Sequence, residues 1–97
     1  MATYVVLAHF TEQGMKNVKK TATRAEEFKQ MAMRYGAAVK ETFWTLGVYD
    51  LVQVVEAPDE MTMTALSLSL SALGFARTQS LRAFSEKEIR TIVARMD

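Results

Sequence analysis

Residues 3–10 read TYVVLAHF, a β-branched and aromatic run in which neither alternating set of side chains is polar. Successive side chains of a strand point to opposite sides, so Val5 and Leu7 face one way while Tyr4, Val6, Ala8 and Phe10 face the other. A strand that is apolar on both sides belongs inside a sheet that is covered twice. The later run LVQVVEA at 51–57 is also apolar and β-prone. Whatever this chain folds into must find two covers for one sheet.

The remaining segments supply one of those covers. Thr11 to Gly14 read as a turn, and from Met15 to Tyr35 the positions Val18, Ala22, Ala25, Phe28, Ala32 and Tyr35 recur at helical spacing. Thr23 and Glu26 have capping-box spacing, which divides this stretch into a short helical turn and a main helix ending at Gly36. Strands are expected at Ala37–Leu46 and Tyr49–Ala57, joined through Gly47-Val48 as a type II′ hairpin. Pro58 and Asp59 stop the strand and start a helix, with Asp59 as its N-cap.

The run LSLSLSALG alternates like a strand, but as a helix it places Thr64, Ser67 and Ser71 in one narrow polar stripe. Met61, Ala65, Leu68 and Ala72 then form one apolar flank and Leu66, Leu70 and Leu73 the other, so a helix over 59–73 needs covering on two sides. Phe75 to Phe84 read as a fourth strand. The capping box Ser85-x-x-Glu88 opens a last helix whose apolar face is Ile89, Ile92, Val93 and Met96.

The order is βαββαβ with a C-terminal helix: a single α+β domain over 1–97, with the ferredoxin-like arrangement and a four-stranded antiparallel sheet. Two crossover helices cover one sheet face and leave the other open. An open face this apolar is expected to meet a second copy, giving a homodimer whose sheets face each other.

Charge and composition narrow the function classes. Twelve basic against eleven acidic residues leave +1, which offers no field for nucleic acid. No apolar run approaches the ~20 residues of a membrane helix, and the amino terminus lacks the basic region of a signal peptide. A cytoplasmic protein with no membrane partner is expected. With no cysteine and one histidine, neither a metal site nor a cofactor is expected.

The hairpin register places Leu46 opposite Tyr49, so Thr42, Trp44, Leu46, Tyr49, Leu51 and Gln53 share one face and Asp50 takes the other. The first set, amphipathic like a pocket or an interface, is assigned to the open side. His9 has the intrinsic pKa of a general base, or serves as a hydrogen-bonded interface histidine. Asp50 is a candidate acid or base, or a carboxylate accepting backbone N–H bonds at the hairpin. Trp44 and Tyr49 could floor a ligand pocket or pack at an interface. Arg77, with Arg82 and Gln79, could bind an anionic ligand or form a solvated edge. Lys16, Lys20 and Arg24, spaced four apart, read as a solvated helix face.

TEQG at 11–14, Arg24, WTLGVYD at 44–50, EAPD at 56–59 and LRAF at 81–84 together resemble the GYD domain family, over nearly the whole chain. The resemblance implies a dimeric α+β barrel and says little about activity. Two readings follow. In one, a homodimer binds a small organic molecule and acts on it by cofactor-independent proton transfer, with His9, Trp44 and Tyr49 lining the pocket and Asp50 at its rim. In the other, the chain is a non-catalytic ligand-sensing or assembly module that forms a homodimer or a higher homo-oligomer.

Overall fold

The computed structural model describes all of residues 1–97. Four strands, β1 (Ala2–Phe10), β2 (Ala38–Trp44), β3 (Leu51–Ala57) and β4 (Ala76–Ala83), form one antiparallel sheet in the order β2-β3-β1-β4. The helices are α1 (Glu12–Lys16), α2 (Thr21–Arg34), α3 (Glu60–Ala72) and α4 (Glu86–Val93), with a 3-10 turn at Val18–Lys20. This is the expected α+β ferredoxin-like arrangement, and the two doubly apolar strands, β1 and β3, take its centre.

One face of the sheet meets α2 and α3. There Tyr4, Val6, Val55 and Ala57 pack with Phe28 and Ala32 of α2 and with Met63 and Leu66 of α3. The other face, formed by Val5, Leu7, Val52, Val54, Phe43 and Leu81, has no cover within the chain, and Phe43 remains 53% exposed. Only 12 of the 97 residues are buried, so the core is one-sided. Of the two apolar flanks of α3, the sheet covers Leu66 and partly Leu70, while Met61, at 84% exposed, and Leu68 face outward.

Capping explains where the helices begin. Asp59 accepts from the Thr62 N–H at 2.7 Å, and this bond holds its carboxyl below the ordinary carboxylate range. Ser85 and Glu88 close the reciprocal capping box, and the Ser85 N–H, with help from Arg82, holds the Glu88 carboxyl low. Two local expectations are corrected. Thr11 is the N-cap of α1, accepting from the Gly14 N–H at 3.1 Å, so residues 12–14 are helix rather than turn. The main helix begins at Thr21 without a side-chain cap, and the Thr23–Glu26 box does not form because both residues lie inside the helix.

The start of α1 is pressed against the entry to β4. The Thr11 hydroxyl donates to the Gly74 carbonyl at 2.6 Å, and the Thr11 N–H donates to the Phe75 carbonyl at 3.1 Å. Gly14 allows this approach, since a Cβ there would lie 1.9 Å from the Phe75 carbonyl oxygen. Gly14→Ala must therefore push two backbones apart. It is expected to lower stability in chemical denaturation by about 1–3 kcal/mol, as overpacking of a filled site does; an unchanged midpoint would show that the approach is not tight.

Candidate functional site

β1 and β4 bring three of the five expected site residues together on the open face. His9 lies opposite Arg77 in the ladder and Leu7 opposite Gln79. Tyr49 reaches over from the loop between β2 and β3, its ring centre 4.6 Å from that of His9 at a 34° tilt. Its hydroxyl donates to Gln79 Oε1 at 3.2 Å. His9 and Arg77 are both exposed, and Tyr49 is half-buried. No three His, Cys, Asp or Glu side chains gather anywhere in the chain.

Asp50 and Trp44 stand apart from this cluster. The Asp50 carboxylate accepts from the Phe10 N–H at 2.8 Å, and the Asp50 N–H donates to the Ala8 carbonyl at 2.9 Å. The residue thus clamps the end of β1 where the β1–β3 ladder runs out at Ala8–Leu51. The carboxylate supplies the acceptor that a continuing strand would have offered. Trp44 points to the helix side, where its indole N–H donates to Thr21 Oγ1 at 2.9 Å.

The expected assignment of the Trp44 face to the open side is therefore reversed. The register around Gly47-Val48 is as read, with Thr42 opposite Gln53 and Trp44 opposite Leu51, but this set faces the helices and Gln53 is buried at 2% exposure. The reversal follows β3, where Gln53 alternates with Val55 and Ala57 toward the helix-side core, and the register shift of β2 lies at Lys40, between Val39 and Glu41, rather than near Gly47. It lets Val39 join the core while Glu41 and Phe43 face out. Tyr49 parts from Trp44 because residues 45–50 form an open loop, not the tight hairpin. The Thr45 N–H donates to the Asp50 carbonyl at 2.9 Å and its hydroxyl to the Tyr49 carbonyl at 2.5 Å. Gly47, at φ +130°, makes the turn at the surface, where an added Cβ would meet nothing within 4 Å, so its backbone conformation and not crowding calls for glycine.

A small cavity of about 50 Å³ lies on the helix side, walled by Phe10, Ala25, Leu51 and Phe75 with Asn17, Thr21 and Arg24 as its polar side chains. Neither His9, Tyr49 nor Asp50 lines it. Arg24 was missed as a site residue by the sequence reading. Lys16, the first member of its charge stripe, does lie at the surface, 3.5 Å from Glu12. The break at residues 17–20 resets the helical phase, so spacing across it does not predict a shared face. Recognising Asn17 as a helix end would have exposed this.

Among known protein families, the GYD domain matches residues 4–93. A curated relative from Thermus thermophilus, named glutamine synthetase and cystathionine beta-lyase binding protein, is 33% identical over 97 residues, 99% of this chain and 99% of its own length. No solved structure matches the chain significantly.

The position of Asp50 makes its role measurable. Asp50→Ala leaves the Phe10 N–H without its acceptor and is expected to cost about 1–3 kcal/mol in urea unfolding. The His9–Tyr49 contact should persist in that variant, as read from aromatic side-chain NMR shifts. A fully stable Asp50→Ala protein would contradict the clamp.

Proposed function

The chain belongs to the GYD domain family, and on that premise we propose that it is a non-catalytic homo-oligomeric module that binds other proteins. The observation that carries this reading is the uncovered apolar face of the sheet. Val5, Leu7, Val52, Val54, Phe43 and Leu81 form a continuous patch across all four strands, which a second copy can cover face to face as a dimeric α+β barrel. The last helix adds to the demand: α4 buries none of its residues, and its stripe of Ile89, Ile92, Val93 and Met96 lies open beside the exposed Phe84.

Six such side chains per copy make twelve in a facing pair. At roughly 1 kcal/mol for the part of each still exposed, they supply about 12 kcal/mol of transfer free energy. Against an association cost of about 4 kcal/mol at the low end, about 8 remains, which corresponds to a micromolar dimer before α4 contributes. The cluster of His9, Tyr49, Arg77 and Gln79 sits at one end of the same face and suits a polar rim.

Proton-transfer chemistry on a small ligand draws less support. Asp50 is engaged by the backbone of β1, Trp44 is on the opposite side of the sheet from Tyr49, and the cavity described above does not reach His9. A protein partner is supported by the name of the Thermus relative, a binding protein for two enzymes. The surface read as meeting such a partner is the outer flank of α3, with Met61, Ala65, Leu68 and Ala72 in one stripe and no charged residue between Met61 and Phe75.

In sedimentation equilibrium the chain is expected at twice its 10.9 kDa mass, and Val54→Lys should return it to monomer while its circular dichroism is retained. A wild-type monomer at about 10 μM would overturn the facing-sheet dimer. Independently, immobilised protein is expected to retain purified glutamine synthetase or cystathionine β-lyase from the same source. Leu68→Glu should abolish that capture without altering the dimer mass, and retention by Leu68→Glu equal to wild type would exclude the α3 flank.

A further inference from the structure

Arg24 lies with its guanidinium carbon 3.3 Å from the centre of the Phe75 ring, and its Nε–H is buried without a hydrogen-bond partner. None of the chain's four ion pairs includes it. Stacking on Phe75 satisfies the flat face of the guanidinium, but its N–H donors radiate from the edge, where an aromatic face accepts none of them. Arg24 is half-buried as a whole, but its buried Nε–H without an acceptor carries a desolvation cost that a bound acceptor would relieve.

The start of α2 offers no carboxylate to supply it. Lys19 and Lys20 precede α2, and no acidic residue stands in its first turn, so the positive end of the helix dipole is not neutralised by the chain. The cavity of about 50 Å³ beside Arg24 has no carboxylate in its lining. Its volume holds about three to five non-hydrogen atoms. Most of its wall is apolar, provided by Phe10, Ala25, Leu51 and Phe75.

We propose that this cavity binds a short aliphatic monocarboxylate of about the size of propionate, paired through its two oxygens with the edge of the Arg24 guanidinium. The planar carboxylate matches the guanidinium fork, and a short hydrocarbon tail matches the apolar wall. A tetrahedral oxyanion such as phosphate fits poorly, because most of its oxygens would face Phe10, Ala25 and Leu51 without donors. The Trp44 indole bonded to Thr21, a cavity residue, makes the chain's single tryptophan a reporter of occupancy. The site lies on the helix side of the sheet, away from the face read as the dimer contact, so the two proposals stand or fall separately.

The test is titration of the isotope-labelled protein with sodium propionate against matched sodium chloride, followed by amide and arginine side-chain NMR and by Trp44 emission. The expected result is saturable, millimolar binding, with the largest shifts at the Arg24 Nε–H and the amides of Gly14 and Ala25. Arg24→Gln should weaken it about tenfold or more by loss of the charge-assisted pair. Ala25→Val, which keeps the cation and fills the space, should weaken it as well. Propan-1-ol, of similar size and uncharged, should produce no saturable change. Linear shifts without saturation, equal affinity in Arg24→Gln, or equal response to propan-1-ol would each overturn the site. If Arg24→Gln does not fold, unaltered affinity in Ala25→Val overturns it alone.

Discussion

β1 and β3 carry apolar side chains on both faces, while the crossover helices lie on one side of the sheet only. That mismatch organises the molecule. On the helix side, α2 and the inner flank of α3 close a compact core around Tyr4, Val6, Val55 and Leu66. On the other side, Val5, Leu7, Val52 and Val54 stay half-covered at the centre of the sheet, with Phe43 and Leu81 more open at its margins. Burial of apolar area is the main favourable term in folding and in association alike. A sheet with one closed face is therefore a folded unit that still has a strong reason to associate, and the uncovered α4 adds to it.

Two small irregularities decide which residues belong to which face. The extra residue at Lys40 breaks the alternation of β2, so that Val39 enters the core and Thr42 and Trp44 follow it to the helix side. The loop at 45–50 breaks it again, freeing Tyr49 to stack on His9 and Asp50 to hold the end of β1. The Gly-x-Tyr-Asp sequence at 47–50 thus has a mechanical reading here. Gly47 turns the loop, Tyr49 extends the open face, and Asp50 ties the loop to the central strand.

The helix side has its own unbalanced element. Thr11 and Gly14 draw α1 against Gly74 and Phe75, and the resulting corner encloses the small cavity where Arg24 rests on the Phe75 ring. One side of the sheet holds the unpartnered Arg24 Nε–H and the other exposes apolar surface.

Periodicity and capping residues were sufficient for the order of elements. TYVVLAHF required a central strand, Asp59 and Ser85 marked helix starts through hydrogen bonds made within four residues, and the βαββαβ order leads to the sheet seen here. These are local properties, set by rotation per residue and by side chains that reach their own backbone. The face taken by Trp44, the separation of Tyr49 from Trp44, the partial burial of Arg24 and the exposure of the outer flank of α3 were decided only in three dimensions. A one-residue bulge inverts every later side chain, and a helix break erases the phase of a charge stripe. Which of two apolar flanks is covered depends on an element distant in sequence. Alternation tells which residues share a face; only packing tells what that face meets.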